Sequence, residues 1–238
     1  MSLKGVVGLF PANQSVDGED VHIYVDEEGR SADTPIPTFC MLSQKAEKES
    51  EDPYLSQADF VAPKGYKDPL GMFSVSCFGC DALVNKFEAD NDDYSKNMAQ
   101  TLANRFVEAF DEYLHQEMST NYWGYAPDKN LDETDLLKIK YDGIRPALGY
   151  PYHPDHTKKK TMWEATNAEE LAGIKLSESL RMMPAASVSA LVFAHPESQY
   201  FAVGHIGKDQ VESYAQRKKY DLSSMERWLS PILNYDRE

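Results

Sequence analysis

The chain has 238 residues, 42% of them hydrophobic and 26% charged, enough to bury a substantial core within one domain. Its formal charge of −15, from 24 Lys and Arg against 39 Asp and Glu, repels a phosphate backbone and argues against a nucleic-acid partner. No apolar run approaches the roughly 18 residues of a membrane span.

The acidity is uneven. Residues 1–150 carry 13 basic and 27 acidic side chains and residues 151–238 carry 11 and 12, net charges of −14 and −1. Three cysteines, Cys40, Cys77 and Cys80, form no disulfide framework, and an odd count without a signal peptide points to a reducing, cytoplasmic setting. Met1-Ser2-Leu3-Lys4 has neither a basic n-region nor an apolar h-region; it reads as an expression leader of residues 1–4 before a domain of residues 5–238.

In chain order, Gly5–Phe10 is a short apolar run, and Val21, Ile23 and Val25 alternate with polar neighbours, so a hairpin turning at Asp17-Gly18 is expected. Residues 31–67, rich in Pro, Ser, Lys and Glu, read as loops with one short strand near Phe39 and an exposed helical turn. Gly71–Phe78 resumes the strand pattern. Helical spacing follows over Asp81–Glu88 and Asp92–Asn121. In this long helix Met98, Leu102, Phe106, Ala109, Phe110 and Tyr113 make an apolar stripe, opposite a polar face of Asn104, Arg105, Glu108, Asp111, Glu112 and His115.

Asp132 and Asp135 start a further helix running to about Tyr141, broken by the Gly143–Pro151 segment. Then come a helix over Ala168–Ala172 stopped by Gly173, and strands over Lys175–Met182, Ser187–Ala194 and Tyr200–Ile206. Two helices close the chain, Asp209–Arg217 and Met225–Leu229, the second opened by a Ser223/Glu226 capping box. Clustered strands without regular alternation predict an α+β fold, a single domain with a mainly antiparallel twisted sheet flanked by helices, the long one near residues 92–121.

Chemistry-bearing residues are few. Cys77-Phe78-Gly79-Cys80 has the spacing of a thiol pair, but Cys77 lies on the apolar side of a strand and buried structural cysteine is the expectation. His153, Asp155 and His156 form a loop cluster best suited to turns and caps. No dinucleotide fingerprint, phosphate-binding loop or nucleophile elbow occurs. Gly143-Ile144-Arg145-Pro146-Ala147-Leu148-Gly149-Tyr150-Pro151 stands out. Two prolines stiffen it, Gly149 permits a close approach, and Arg145 offers a fork that matches a carboxylate. Of Tyr200-Phe201, adjacent on an extended segment, one ring packs inward and the other is free to stack on a flat ligand.

This loop, with Pro154-Asp155-His156-Thr157, Met162-Trp163-Glu164, Pro184-Ala185-Ala186-Ser187, Tyr200-Phe201-Ala202-Val203-Gly204, Asp209-Gln210-Val211-Glu212 and Trp228-Leu229-Ser230-Pro231, resembles the C-terminal activation domain of cobalamin-dependent methionine synthase. The resemblance extends back through Tyr122-Trp123-Gly124-Tyr125 and Asp92-Asp93-Tyr94 to Phe10-Pro11-Ala12-Asn13. It implies a domain that binds S-adenosylmethionine and closes over cobalamin held by another module. An electron from a flavodoxin-type donor and a methyl from S-adenosylmethionine then restore methylcobalamin from the cob(II) form.

By the same resemblance Arg145 grips the methionine carboxylate, the backbone around Ala147 and Gly149 contacts the ligand, and Tyr150 faces the corrin. Tyr200 and Phe201 are the ligand's aromatic pair, and Glu108 is the carboxylate on the long helix. No catalytic base and no metal ligand is nominated, since the cobalt nucleophile belongs to the cofactor. Two departures stand out: the family's upstream stretch with its Asp-Trp motif is absent, and Asn104 stands where relatives often carry Asp. No D-x-H-x-x-G cobalamin motif occurs, so the chain alone is not expected to complete a methionine synthase cycle. The alternative function is a docking module for the cobalamin-binding domain and the flavodoxin-type electron donor, with weak or no ligand binding of its own. The nearly neutral C-terminal stretch, with Lys158-Lys159-Lys160 just beyond the loop, is the expected donor-facing surface.

Overall fold

The computed structural model describes residues 1–45, 47, 51–129, 131–132, 134–135, 138 and 140–237. Strand β1 (Ser2–Gln14) is its spine. It pairs antiparallel with β4 (Asp68–Phe78) from Ser2 opposite Phe78 to Ala12 opposite Asp68, so residues 2–4 belong to the sheet. Its far end turns at residues 15–19 into β2 (Asp20–Ile23), the hairpin expected from Asp17-Gly18. With β3 (Thr38–Cys40), β7 (Ser187–Val192) and the order β3-β2-β1-β4-β7, these strands make one antiparallel sheet. A separate hairpin pairs β5 (Lys175–Leu176) with β6 (Met182–Met183), where a single strand was expected.

Strand alternation sorts the two cores. On one face of β4, Phe73, Val75 and Cys77 pack with Val192 beneath α3 (Asp93–Glu117) and α2 (Cys80–Ala89). On the other, Leu70 and Met72 pack with Met162, Trp163, Ala168 and Ala172 from α4 (Lys158–Thr166) and α5 (Ala168–Ala172). A third cluster, with Val211, Tyr214 and Met225, joins α6 (Lys208–Lys218) and α7 (Leu222–Trp228) to Cys40 and Val203. A short helix α1 (Glu27–Ser31) supplies the exposed helical turn. The α+β class with a mainly antiparallel sheet and a long helix is the architecture found.

The long helix packs differently from its sequence pattern. Its buried residues are Ala99, Ala103, Val107, Leu114 and His115, whereas Met98, Leu102, Phe106 and Tyr113 are 42–51% exposed. Phe73, Val75 and Val192 of the sheet already fill the space beneath the helix, so its small residues face inward and let it approach closely. The helix then continues as one π turn over Met118–Tyr122.

Other differences are local. The helix expected from Asp132 to Tyr141 falls partly outside the described residues. Helix α4 was not anticipated, because its Lys triplet reads as a surface run. Residues 200–206 are irregular, held by Val203 N–H donating to the Pro151 carbonyl and by Ile206 beside Leu233. The cap of α7 is Asp221, whose carboxylate accepts from Ser224 N–H, in place of Ser223. Cys40, Cys77 and Cys80 are buried free thiols.

Candidate functional site

The conspicuous loop extends the sheet. Ile144 exchanges both backbone hydrogen bonds with Phe193 at 2.9 Å, Leu191 N–H donates to the Pro146 carbonyl, and Leu148 N–H donates to the Ser189 carbonyl. Alternate residues therefore face β7, and the amides of Arg145 and Ala147 point away from it. The strand can enter and leave only through glycine: Gly143 and Gly149 have φ of 79° and 98°. A Cβ at Gly143 would collide with the Phe193 carbonyl, and one at Gly149 with the His156 ring. Beyond Gly149 the turn closes through Gly149 N–H on the His153 carbonyl and His153 N–H on the Tyr150 carbonyl, both 2.7 Å.

Arg145 lies across α3. Its Nε donates to Asp111 at 3.0 Å, one Nη to His115 Nδ1 at 2.9 Å and the other to Glu112, and the guanidinium carbon sits 5.4 Å over the Tyr141 ring. Three of five guanidinium N–H groups are thus engaged among the described residues. Burial works against its charge, but Asp111 and Glu112 outweigh it and raise its pKa. Burial raises the Asp111 carboxyl in spite of Arg145. His115 is kept neutral, its pKa lowered to about 3 by burial and by the neighbouring guanidinium. Its Nε2 meets the Tyr125 hydroxyl at 3.1 Å and its ring stacks on Tyr141. Asp111 Oδ1 and Glu112 Oε1 are buried without a hydrogen-bond partner among the described residues.

Above this cluster stand three tyrosines. Tyr200 accepts from Arg145 N–H at 3.0 Å, Tyr152 lies 5.2 Å from Tyr200, and Tyr150 stacks on Tyr152 at 5.7 Å. Tyr150 and Tyr200 are 57% and 41% exposed, so the strand carries an open aromatic rim. A cavity of about 320 Å³ lies behind it, lined by Tyr150, His156, His205, Trp228 and Ile232 among others.

The far end of the segment is locked by a second charged cluster. Asp155, fully buried, accepts from Thr157 N–H and hydroxyl, from the Tyr214 hydroxyl at 2.8 Å and from Lys218 Nζ at 2.5 Å. Burial alone would raise this carboxyl; Lys218 and Thr157 hold it below its usual value. Lys158 Nζ sits 3.0 Å from His153 Nδ1, and burial lowers its pKa to about 7. His153, Asp155 and His156 thus serve turn and packing roles.

The residues singled out from the sequence fall unevenly around this site. Arg145, Ala147, Gly149, Tyr150 and Tyr200 come together on one edge. Glu108 lies on α3 close enough to Asp111 to raise its carboxyl, and its own carboxylate pairs with Arg105 at 2.5 Å. Phe201 turns inward, edge-on to Phe60, as expected for one ring of the pair. The lysine cluster does not form a surface: Lys158 and Lys159 are 2% and 5% exposed, their ammonium groups drawn inward by His153, His156 and the Leu180 carbonyl, and only Lys160 is open. Asp111, Glu112 and His115 were legible as a polar helix face but not as the cradle of Arg145, and Tyr152 carried no signal beyond its neighbours.

Residues 1–219 match the family described as vitamin B12 dependent methionine synthase, activation domain. The fold matches a crystal structure of the MetH reactivation domain bound to AdoHcy, with a TM-score of 0.94 and 48% identity, over 98% of this chain and 71% of that one.

Proposed function

The chain belongs to the activation-domain family of vitamin B12-dependent methionine synthase, and on that premise we propose that it binds S-adenosylmethionine along the Arg145 strand and serves the reductive return of cob(II)alamin to methylcobalamin. One observation carries the reading: a mostly buried, charged guanidinium, with two donors unengaged among the described residues, lies against Asp111 and Glu112, with Glu108 near Asp111 on the same helix, beneath exposed tyrosines. S-adenosylmethionine has one carboxylate and two cationic centres, the ammonium and the sulfonium. A fork for the carboxylate within surplus negative charge suits that distribution. Tyr200 offers a face to adenine or to the sulfonium, and the outward backbone at Ala147 and Gly149 offers close approach.

The corrinoid, held by another module, supplies the cobalt nucleophile. The residues of this chain hold the methyl donor in line and exclude water, with no proton to move. Tyr150, outermost on the rim, fits a corrin-facing role, and Phe201 supports Tyr200 from within. The reading brings two partners, the cobalamin-binding module and a flavodoxin-type donor, in a cytoplasmic setting; among the described residues no helix is long and apolar enough to cross a membrane. Isothermal titration of S-adenosylmethionine and S-adenosylhomocysteine into wild type and Arg145→Ala tests the proposal. Binding by wild type and its loss in the variant are expected; equal binding by both would remove Arg145 from the site.

A further inference from the structure

Tyr152 is the middle ring of three. It stacks face to face on Tyr150, with planes 7° apart, and meets Tyr200 at a tilt of 57°. It is partly buried, unlike its two exposed neighbours. The hydroxyls matter as much as the rings. The outward edge of the ligand strand has two amides that β7 does not take, those of Arg145 and Ala147. Tyr200 accepts the first at 3.0 Å. The second acts on the Tyr152 hydroxyl, whose pKa burial and Tyr200 push up to about 12 while the Ala147 amide opposes them. Without the Tyr152 ring, Tyr150 loses its stacking support and Tyr200 its ring neighbour.

We propose that Tyr152 is a positioning residue that ties Tyr200, anchored on the Arg145 amide, to the Tyr150 ring, so that ligand bound along the strand also sets the ring facing the corrin. This rests on the ligand-site reading above. The Tyr200 hydroxyl takes the outward amide of Arg145, and the Tyr152 ring holds Tyr200 in that place. The ring fixes Tyr150 by stacking, which orders an otherwise solvent-exposed side chain before the cofactor arrives.

The test uses the 238-residue chain with S-adenosylhomocysteine as probe, in wild type, Tyr152→Phe and Tyr152→Ala. Affinity is read by isothermal titration, ring order by the near-ultraviolet circular dichroism of the tyrosines, and folding by thermal melting. Tyr152→Phe keeps both ring contacts and is expected to keep the tyrosine signal and bind within about 2-fold of wild type. Tyr152→Ala is expected to lose the ligand-induced change in that signal and bind about 10- to 100-fold more weakly, with both ring contacts gone. Wild-type affinity in Tyr152→Ala overturns the inference. So does an equal loss in both variants matched by equal falls in melting temperature, because general destabilisation then accounts for it. Wild type that fails to bind the probe overturns the site reading and the inference together, whereas binding by wild type with an unaffected alanine variant overturns only the inference.

Discussion

The segment from Gly143 to Thr157 is held at each end by charges, and the two ends solve different problems. At one, Arg145 is bound by Asp111, Glu112 and His115, with side chains 11%, 16% and 26% exposed for the arginine and the two carboxylates. At the other, Asp155 and Lys218 are 0% and 8% exposed, and the carboxylate accepts from Thr157, Tyr214 and Lys218. The first cluster carries surplus negative charge, orphaned acceptors and spare donors. The second is closed on itself. Similar residue types thus give an exchangeable cluster, the proposed binding centre, where solvent reaches the edge and a structural rivet where it does not.

The largest effect expected from breaking this contrast is at the rivet. Asp155→Ala leaves the Lys218 cation buried without its partner and should cost about 3–5 kcal/mol in urea unfolding. A change below about 1 kcal/mol would mean that the second cluster is as adaptable as the first. Arg145→Ala should reverse the pattern, weakening S-adenosylhomocysteine binding by about 10- to 100-fold, the worth of a charged hydrogen-bonded contact, while costing less stability than Asp155→Ala. If the two variants trade places in these measurements, the division between binding centre and rivet is wrong.

Acidity distinguishes the clusters more gently. His115 binds a proton more weakly folded, at about 3, than at its ordinary 6.5, so the unfolded chain takes up the extra proton and stability falls as pH drops through that window. Lys158 is lowered from 10.5 to about 7, so the unfolded chain again holds more protons between those values, and its contribution to stability rises as pH increases from 7. Unfolding free energies of His115→Gln and Lys158→Met against pH should each lose one of these slopes; retention of both slopes would assign them elsewhere. Smallest of all, Phe106→Ser on the exposed stripe should change stability by no more than about 0.5 kcal/mol, and a core-sized loss would show that the ring is buried in solution.

Much of this site was readable in the chain. Two prolines, two glycines and an arginine within nine residues announced a shaped strand, and the doublet Tyr200-Phe201 announced one ring in and one ring out. The cradle was not readable. Asp111, Glu112 and His115 lie some 30 residues before Arg145, on a helix whose polar face looked like any solvated face. The lysine triplet misled for the converse reason: its charge reads as surface, yet a neighbouring histidine and a carbonyl offered acceptors inside.

The sequence by itself determined most of the strands and helices and the stiff segment among them, because periodicity, turn residues and caps act over a few neighbours. It determined the family as well, through motifs spread over nearly the whole chain. Only the tertiary structure decided which face of the long helix is inward and which charged groups are buried. Those choices depend on what the opposing sheet leaves room for: Phe73 and its neighbours fill the space beneath α3, the small residues turn in, and the rotation that follows brings Asp111, Glu112 and His115 to Arg145.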